Sequence, residues 1–152
     1  MHITSIGIDL GKTTFHLVAL GERNKVLFRK KFSRAALLFY TANLPAPLIG
    51  LEACAGAHFL GAALREQGHR VRLIPAQFVK PYRKSNKNGF LDAEAIAEAV
   101  TQQNMRFAQI KTLYPDEAKY FCAGIPEWVY SLPMSGAKME DPGDSNRQTR
   151  TM

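Results

Sequence analysis

Three carboxylates stand where carboxylates are uncommon. Asp9 comes at the end of the apolar run Ile3, Ile6, Ile8 and Leu10, and Glu52 closes the stretch Leu48-Ile49-Gly50-Leu51. Asp92 opens a helical pattern just after a basic linker. Carboxylates avoid burial unless they are paired or put to use, so an acid at the end of a very apolar strand needs a reason. If the three ends meet at one edge of a sheet, their repulsion is relieved by a divalent cation, most naturally Mg²⁺ with its preference for hard oxygen ligands. Such ions activate a water or hydroxyl and neutralise charge on a scissile phosphate. Each acid also has a purely structural alternative. Asp9 can organise a glycine-flanked turn, Glu52 can cap the helix from Gly56, and Asp92 can complement a helix N-terminus.

Cations accompany the acids. Lys12 follows the Asp9 turn, and residues 76–88 interleave Lys80, Arg83, Lys84 and Lys87 with Phe78 and Tyr82. Cations with aromatic neighbours suit a nucleic-acid backbone and its stacked bases. The alternative is that Phe78 and Tyr82 only pin the linker to a core and that Lys12 is a solvated turn residue. His58 lies near Glu52 and reads as a site-supporting or a merely hydrogen-bonded side chain, while His2, His16 and His69 lack metal-ligand spacing. Cys54 reads as a buried small apolar residue.

The elements that would position these groups follow from periodicity. Residues 3–10, 13–20 and 25–32 read as three strands joined by tight turns, an antiparallel meander; Val26, Phe28 and Phe32 are assigned to one face of the third. Ser33 is an N-cap candidate for a helix ended by Pro45 and Pro47. The strand 48–51, the helix 56–67 stopped by Gly68, and the strand 71–74 imply a parallel pair joined by a crossover. A helix over about 90–102 and a short last strand over 105–111 complete an α/β unit with a mixed sheet and helices on both faces.

At 152 residues the chain has room for one domain with an appendage. No apolar run approaches the roughly 18–20 residues that span a bilayer, and the first residues lack a signal-peptide pattern, so no membrane association is expected. Two cysteines, Cys54 and Cys122, make no disulfide framework, which suggests a reducing cytoplasm. Residues 1–112 hold 16 Lys and Arg against 7 Asp and Glu, whereas residues 113–152 hold 4 against 6. The excess of cations in the first part favours a polyanionic partner, nucleic acid first. Beyond Thr112 the periodicity stops and four of the eight prolines occur. Residues 1–112 therefore read as a folded domain and 113–152 as an irregular, poorly ordered tail.

The stretches GIDLGKTTFHLVAL at 7–20, LEACAGAHFLG at 51–61, VRLIPAQFVKPYRKSNKN at 71–88 and DAEAIAEAV at 92–100 closely resemble the N-terminal RuvC-like domain of the DEDD transposases. These are the insertion-sequence families numbered one hundred and ten and eleven hundred and eleven. The resemblance covers about residues 3–112 and implies a ribonuclease-H-like fold in which four acids bind Mg²⁺. It also implies DNA transposition with a second, serine-bearing domain and a structured RNA that bridges DNA partners. Carried over by position, the first, second and fourth acids are Asp9, Glu52 and Asp92. The third falls at Gly89, three residues before Asp92, so Mg²⁺ binding is expected to be weakened and Gly89→Asp to restore it. Leu91 also stands where a polar residue is expected.

The tail fits neither the middle helical segment nor the serine domain of the family, so the chain is expected to be a truncated or frameshifted product, inactive alone. No nucleophilic role is assigned to Ser131, Ser135 or Ser145. Association with an intact transposase or with a second copy is a further expectation. Two other functions compete. One is a DNA- or RNA-binding remnant without catalysis. The other is an ATP-binding fragment, because GIDLGKTT also resembles the phosphate hairpin of the actin, sugar-kinase and Hsp70 group; no second phosphate loop or adenosine site accompanies it.

Overall fold

Alternating apolar residues and tight turns in the first third build three strands, β1 (Ser5–Leu10), β2 (Phe15–Leu20) and β3 (Val26–Phe32). The computed structural model describes residues 2–11, 13–45, 47–85 and 88–111. Lys12, Lys87 and the expected tail 113–152 lie outside the described residues. β1 pairs antiparallel with β2, and β2 with β3. The turn between β2 and β3 uses Arg23 and Asn24 in the left-handed region, with φ of 57° and 58°.

Next come α1 (Arg34–Ala42), β4 (Leu48–Glu52), α2 (Ala55–Glu66), β5 (Arg70–Ile74), the one-turn α3 (Ala76–Val79) and α4 (Gly89–Ala99). Ser33 caps α1 as expected, its side chain accepting from the Ala36 amide at 3.3 Å. β4 lies parallel to both β1 and β5, giving the sheet order β3-β2-β1-β4-β5. The architecture is a mixed five-stranded α/β fold, compatible with a ribonuclease-H-like domain.

Period-2 alternation divides the strand side chains between two layers. Ile6, Ile8, Leu17, Ile49, Leu51 and Leu73 join Leu37 and Leu38 of α1 and Leu60 and Leu64 of α2 in the larger core. On the opposite side, Val18 and Leu20 meet Ala93 and Ala97 of α4, and Leu48 and Ile74 meet Ile96 and Val100. Helix α4 lies very close to the sheet. A Cβ on Gly7 would run into the Ala93 carbonyl and come within 2.5 Å of the Ala97 amide nitrogen, and one on Gly50 would reach 2.8 Å from the Val100 Cβ. Only glycine leaves that space, and Ser5 Oγ uses the closeness to donate to the Ala97 carbonyl at 2.7 Å.

Three expectations are corrected. Val26 does not share a face with Phe28 and Phe32: a bulge at Ala19/Leu20 sets Val26 opposite Leu20 and Phe28 opposite Ala19. The extra residue turns Val26 toward α4 while Phe28 and Phe32 join the larger core. Residues 105–111 form no strand but a single antiparallel bridge, Ala108 to Leu73, closed by one backbone bond of 2.8 Å. Cys54 is exposed, because it occupies the extended N-cap position of α2 instead of its apolar stripe.

Candidate functional site

The parallel pairing of β1 and β4 matches Ile6 with Ile49, Gly7 with Gly50 and Ile8 with Leu51. Continued by one residue, this register brings Asp9 level with Glu52 at the ends of adjacent strands. Alternation puts both on the layer of Gly7 and Gly50, the side covered by α4. Asp92 reaches that side from the helix. The Asn88 side chain caps α4 by accepting from the Phe90 amide at 2.9 Å, which makes Asp92 the fourth helical residue. Its amide bonds the Asn88 carbonyl at 2.8 Å, and its side chain is only 4% exposed. A carboxylate this deep needs a cationic or hydrogen-bonded partner.

Its partner is Arg83. The guanidinium donates from Nη2 to Glu52 Oε2 at 2.8 Å and brings Nε to 3.1 Å from Asp92 Oδ1. The two contacts differ in kind. The Glu52 contact is an aligned, charge-assisted hydrogen bond. At Asp92 the distance is that of an ion pair, yet the buried Nε–H is aimed at no acceptor, so the attraction there is coulombic. Glu52 does not cap α2; its carboxylate turns to Arg83 instead.

Glu52 and Asp92 are thus brought together through a protein cation, while Asp9 lies near the end of the adjacent strand β1. By donor type, three carboxylates suit a hard divalent ion. By spacing they do not fit one as arranged. Among the described residues no group of three or more His, Cys, Asp or Glu side chains could hold a metal ion, and Arg83 reaches both Glu52 and Asp92.

His16 is an addition that the sequence reading missed. It is the direct cross-strand partner of Asp9, and its ring meets Phe90 edge-on with centroids 4.8 Å apart. That ring fills the space beside Gly89, where an added Cβ would come within 2.6 Å of His16 Cγ. The His16 Nδ1 is buried without a hydrogen-bond partner. Restoring an acid by Gly89→Asp therefore requires the imidazole to move aside. The signal available in the sequence was hairpin symmetry: with Leu10 opposite Phe15, position 16 falls against position 9.

The basic stretch divides. Arg83 faces the acids. Lys84, 62% exposed, donates to Glu94 Oε1 at 2.8 Å, and Arg29 of β3 reaches Glu94 Oε2 at 3.4 Å. The Lys84 ammonium holds the Glu94 carboxyl below its ordinary pKa against the opposing effect of burial, and Glu94 raises Lys84 in turn. Lys80 is exposed. Phe78 and Tyr82 pack against the core around Ile74 and Val79, so pinning the segment is part of their role. His58 Nδ1 accepts from the Lys111 amide at 3.1 Å, the hydrogen-bonded alternative. An apolar cavity of about 200 Å³, lined by Leu10, Phe15, Leu38, Phe59 and Leu60, opens on the other layer and contains none of the three acids.

Known proteins carry the same region. The chain is 46% identical over 111 residues to the transposase for insertion sequence element IS1328 of Yersinia enterocolitica, covering 73% of this chain and 33% of that protein. It is 41% identical over 112 residues to a probable family 20 transposase of Pseudomonas aeruginosa, covering 74% and 33%. With the transposase for insertion sequence element IS1111A of Coxiella burnetii it shares 40% over 111 residues, covering 73% and 30%. The chain thus spans about a third of the length of these relatives. Residues 6–118, which include all three acids and the basic stretch, match the DEDD family of the IS110 type, described as "Transposase". This chain belongs to that transposase family.

Proposed function

We propose that residues 3–112 are the nucleic-acid-binding and -processing domain of an insertion-element transposase, RuvC-like in architecture, with Asp9, Glu52 and Asp92 as its reactive edge. The observation that carries this reading is the meeting of Glu52 and Asp92, from a strand end and a helix start, around Arg83. Asp9 ends the neighbouring strand, in a part of the chain rich in cations. Lys80 and Lys84, with Lys12 and Lys87, supply phosphate contacts to DNA or to a structured RNA in the cytoplasm. Dependence on Mg²⁺ rests on the chemistry of the carboxylate donors, and the glycine at 89 leaves them one acid short of the family pattern. The chain alone is proposed to bind nucleic acid without completing transposition, by itself or in association with an intact transposase.

A second reading, a binding module without catalysis, is favoured by the guanidinium already seated between two of the acids. Mobility-shift and nicking assays of the whole chain on duplex DNA and hairpin RNA, with and without Mg²⁺, separate the two. Binding should weaken with salt, and removing both Lys80 and Lys84 should reduce the salt slope by about 2. Mg²⁺-stimulated nicking that disappears in Asp9→Ala supports processing. Binding that survives Asp9→Ala with no nicking in either protein supports the module. No binding at low salt rejects both.

A further inference from the structure

On the reading that this chain binds nucleic acid, a groove away from the acids bears on which form of strand it takes. Phe78 and Tyr82, on either side of Lys80 in sequence, line it together with Gln102, Gln103, Asn104 and Arg106, and its volume is about 560 Å³. None of its lining residues is acidic. The aromatic part is held from beneath, because Phe78 and Tyr82 share a core cluster with Met105 and Phe107. The Arg83 amide closes the turn Lys80–Tyr82 on the Lys80 carbonyl at 3.1 Å. The polar part comes from the segment after α4, where the Gln102 amide bonds the Ala99 carbonyl at 3.2 Å and the Met105 amide the Gln102 carbonyl at 3.4 Å.

The side chains divide by what they have left to offer. Gln102 is committed, its Nε2 donating to the Glu98 carbonyl at 3.3 Å. Gln103 and Asn104 are exposed amides, each able to donate and to accept. Lys80 and Arg106 are exposed cations. Phe78 and Tyr82 are only partly buried, so ring surface remains for a ligand. A protein ring stacks on a base only when that base has left its own stack, since inside a duplex both faces are covered. Unpairing also frees the donors and acceptors of the base edge, which side-chain amides match.

We propose that this groove binds an unpaired nucleobase of a single strand. The base stacks on Tyr82 and Phe78 and pairs along its edge with Gln103 and Asn104, while Lys80 and Arg106 hold the neighbouring phosphates. The domain therefore takes single-stranded segments in preference to duplex.

The test is fluorescence anisotropy of the full chain with a labelled single strand of about eight nucleotides, in deoxy and in ribo form, and with the matching duplex. Wild-type protein should bind the single strand more tightly than the duplex, and the deoxy and ribo arms identify which strand supplies the base. Tyr82→Ala should weaken single-strand binding about tenfold. Its salt slope should stay unchanged, because no charge is lost, and its duplex binding should not fall. Tyr82 also packs on the core, so a second variant avoids it. Gln103→Ala combined with Asn104→Ala, on exposed residues, should weaken single-strand binding several-fold and reduce the difference between homopolymers of different base. A folded Tyr82→Ala that loses duplex binding equally, or either folded variant binding the single strand like wild type, overturns the groove as a base site but leaves nucleic-acid binding in place. Absence of binding to single strand and duplex alike at low salt overturns the binding reading itself.

Discussion

Between the sheet and helices α1 and α2 lie Ile6, Ile8, Leu17, Ile49 and Leu51, large side chains that interdigitate and keep the helices at a distance. Between the sheet and α4 lie Gly7 and Gly50, facing Ala93, Ala97, Ile96 and Val100, with Ser5, Asp92 and Glu94 buried among them. The first layer is stabilised by apolar area, and the second adds close backbone approach to its own apolar contacts. The contrast shows how one small domain both folds and holds charge. The apolar layer offsets the cost of burying carboxylates, and the glycines bring Asp92 near enough to share Arg83 with Glu52.

Adding one carbon on the α4 side should be the most damaging change. In Gly7→Ala the new methyl meets the Ala93 and Ala97 backbone, which cannot rotate away, so urea unfolding should report a loss of more than about 3 kcal/mol. Removing one carbon on the other side, by Ile49→Val, should cost only about 1 kcal/mol, because a fully buried apolar layer relaxes around a lost methylene. Equal costs for the two would erase the distinction between the layers.

Each side also carries a titrating group, and the two should act in separate pH windows. His69, between α2 and β5, hydrogen-bonds the Thr41 carbonyl at 2.8 Å, and burial lowers its pKa. As pH falls below about 6.5, the ordinary histidine value, the unfolded chain takes up a proton that the folded chain resists, so stability declines toward the lowered folded value. His69→Gln should remove that slope in unfolding titrations. Glu94 has the opposite charge logic. Its pKa is lowered chiefly by the Lys84 hydrogen bond, so its contribution is complete above the ordinary carboxylate range and is lost as pH falls through the lowered value. Glu94→Gln should flatten only this more acidic step. The effect should be the smallest of the four, because the Lys84 side chain is 62% and the Arg29 side chain 48% exposed.

Much of the fold was legible in local pattern. The Ser33 cap and Gly68 after α2 depend on neighbours in sequence, the parallel β4–β5 pair on the order strand, helix, strand, and all three appear as expected. Helix α4 ends at Ala99, short of the expected 102. The bulge at Ala19/Leu20 was hidden, because a one-residue slip is decided by which face finds a core. Part of the candidate site's layout was legible too. Acids ending apolar strands were visible as anomalies, and the parallel pairing of β1 with β4 puts two of them at the same end of the sheet. The partners of those acids were hidden. A basic run signals cations but not their direction, and Arg83 and Lys84, neighbours in sequence, turn to different acids.

Composition and periodicity by themselves determined an α/β chain, rich in cations over its first 112 residues, with carboxylates at two strand ends and a helix start. Only the packed structure decided that Arg83 links Glu52 to Asp92, that His16 fills the space beside Gly89, and that Cys54 faces solvent. The physical reason is range. Backbone preference and hydrophobic alternation act over a few residues, whereas an ion pair or a ring in a gap depends on where whole elements come to rest.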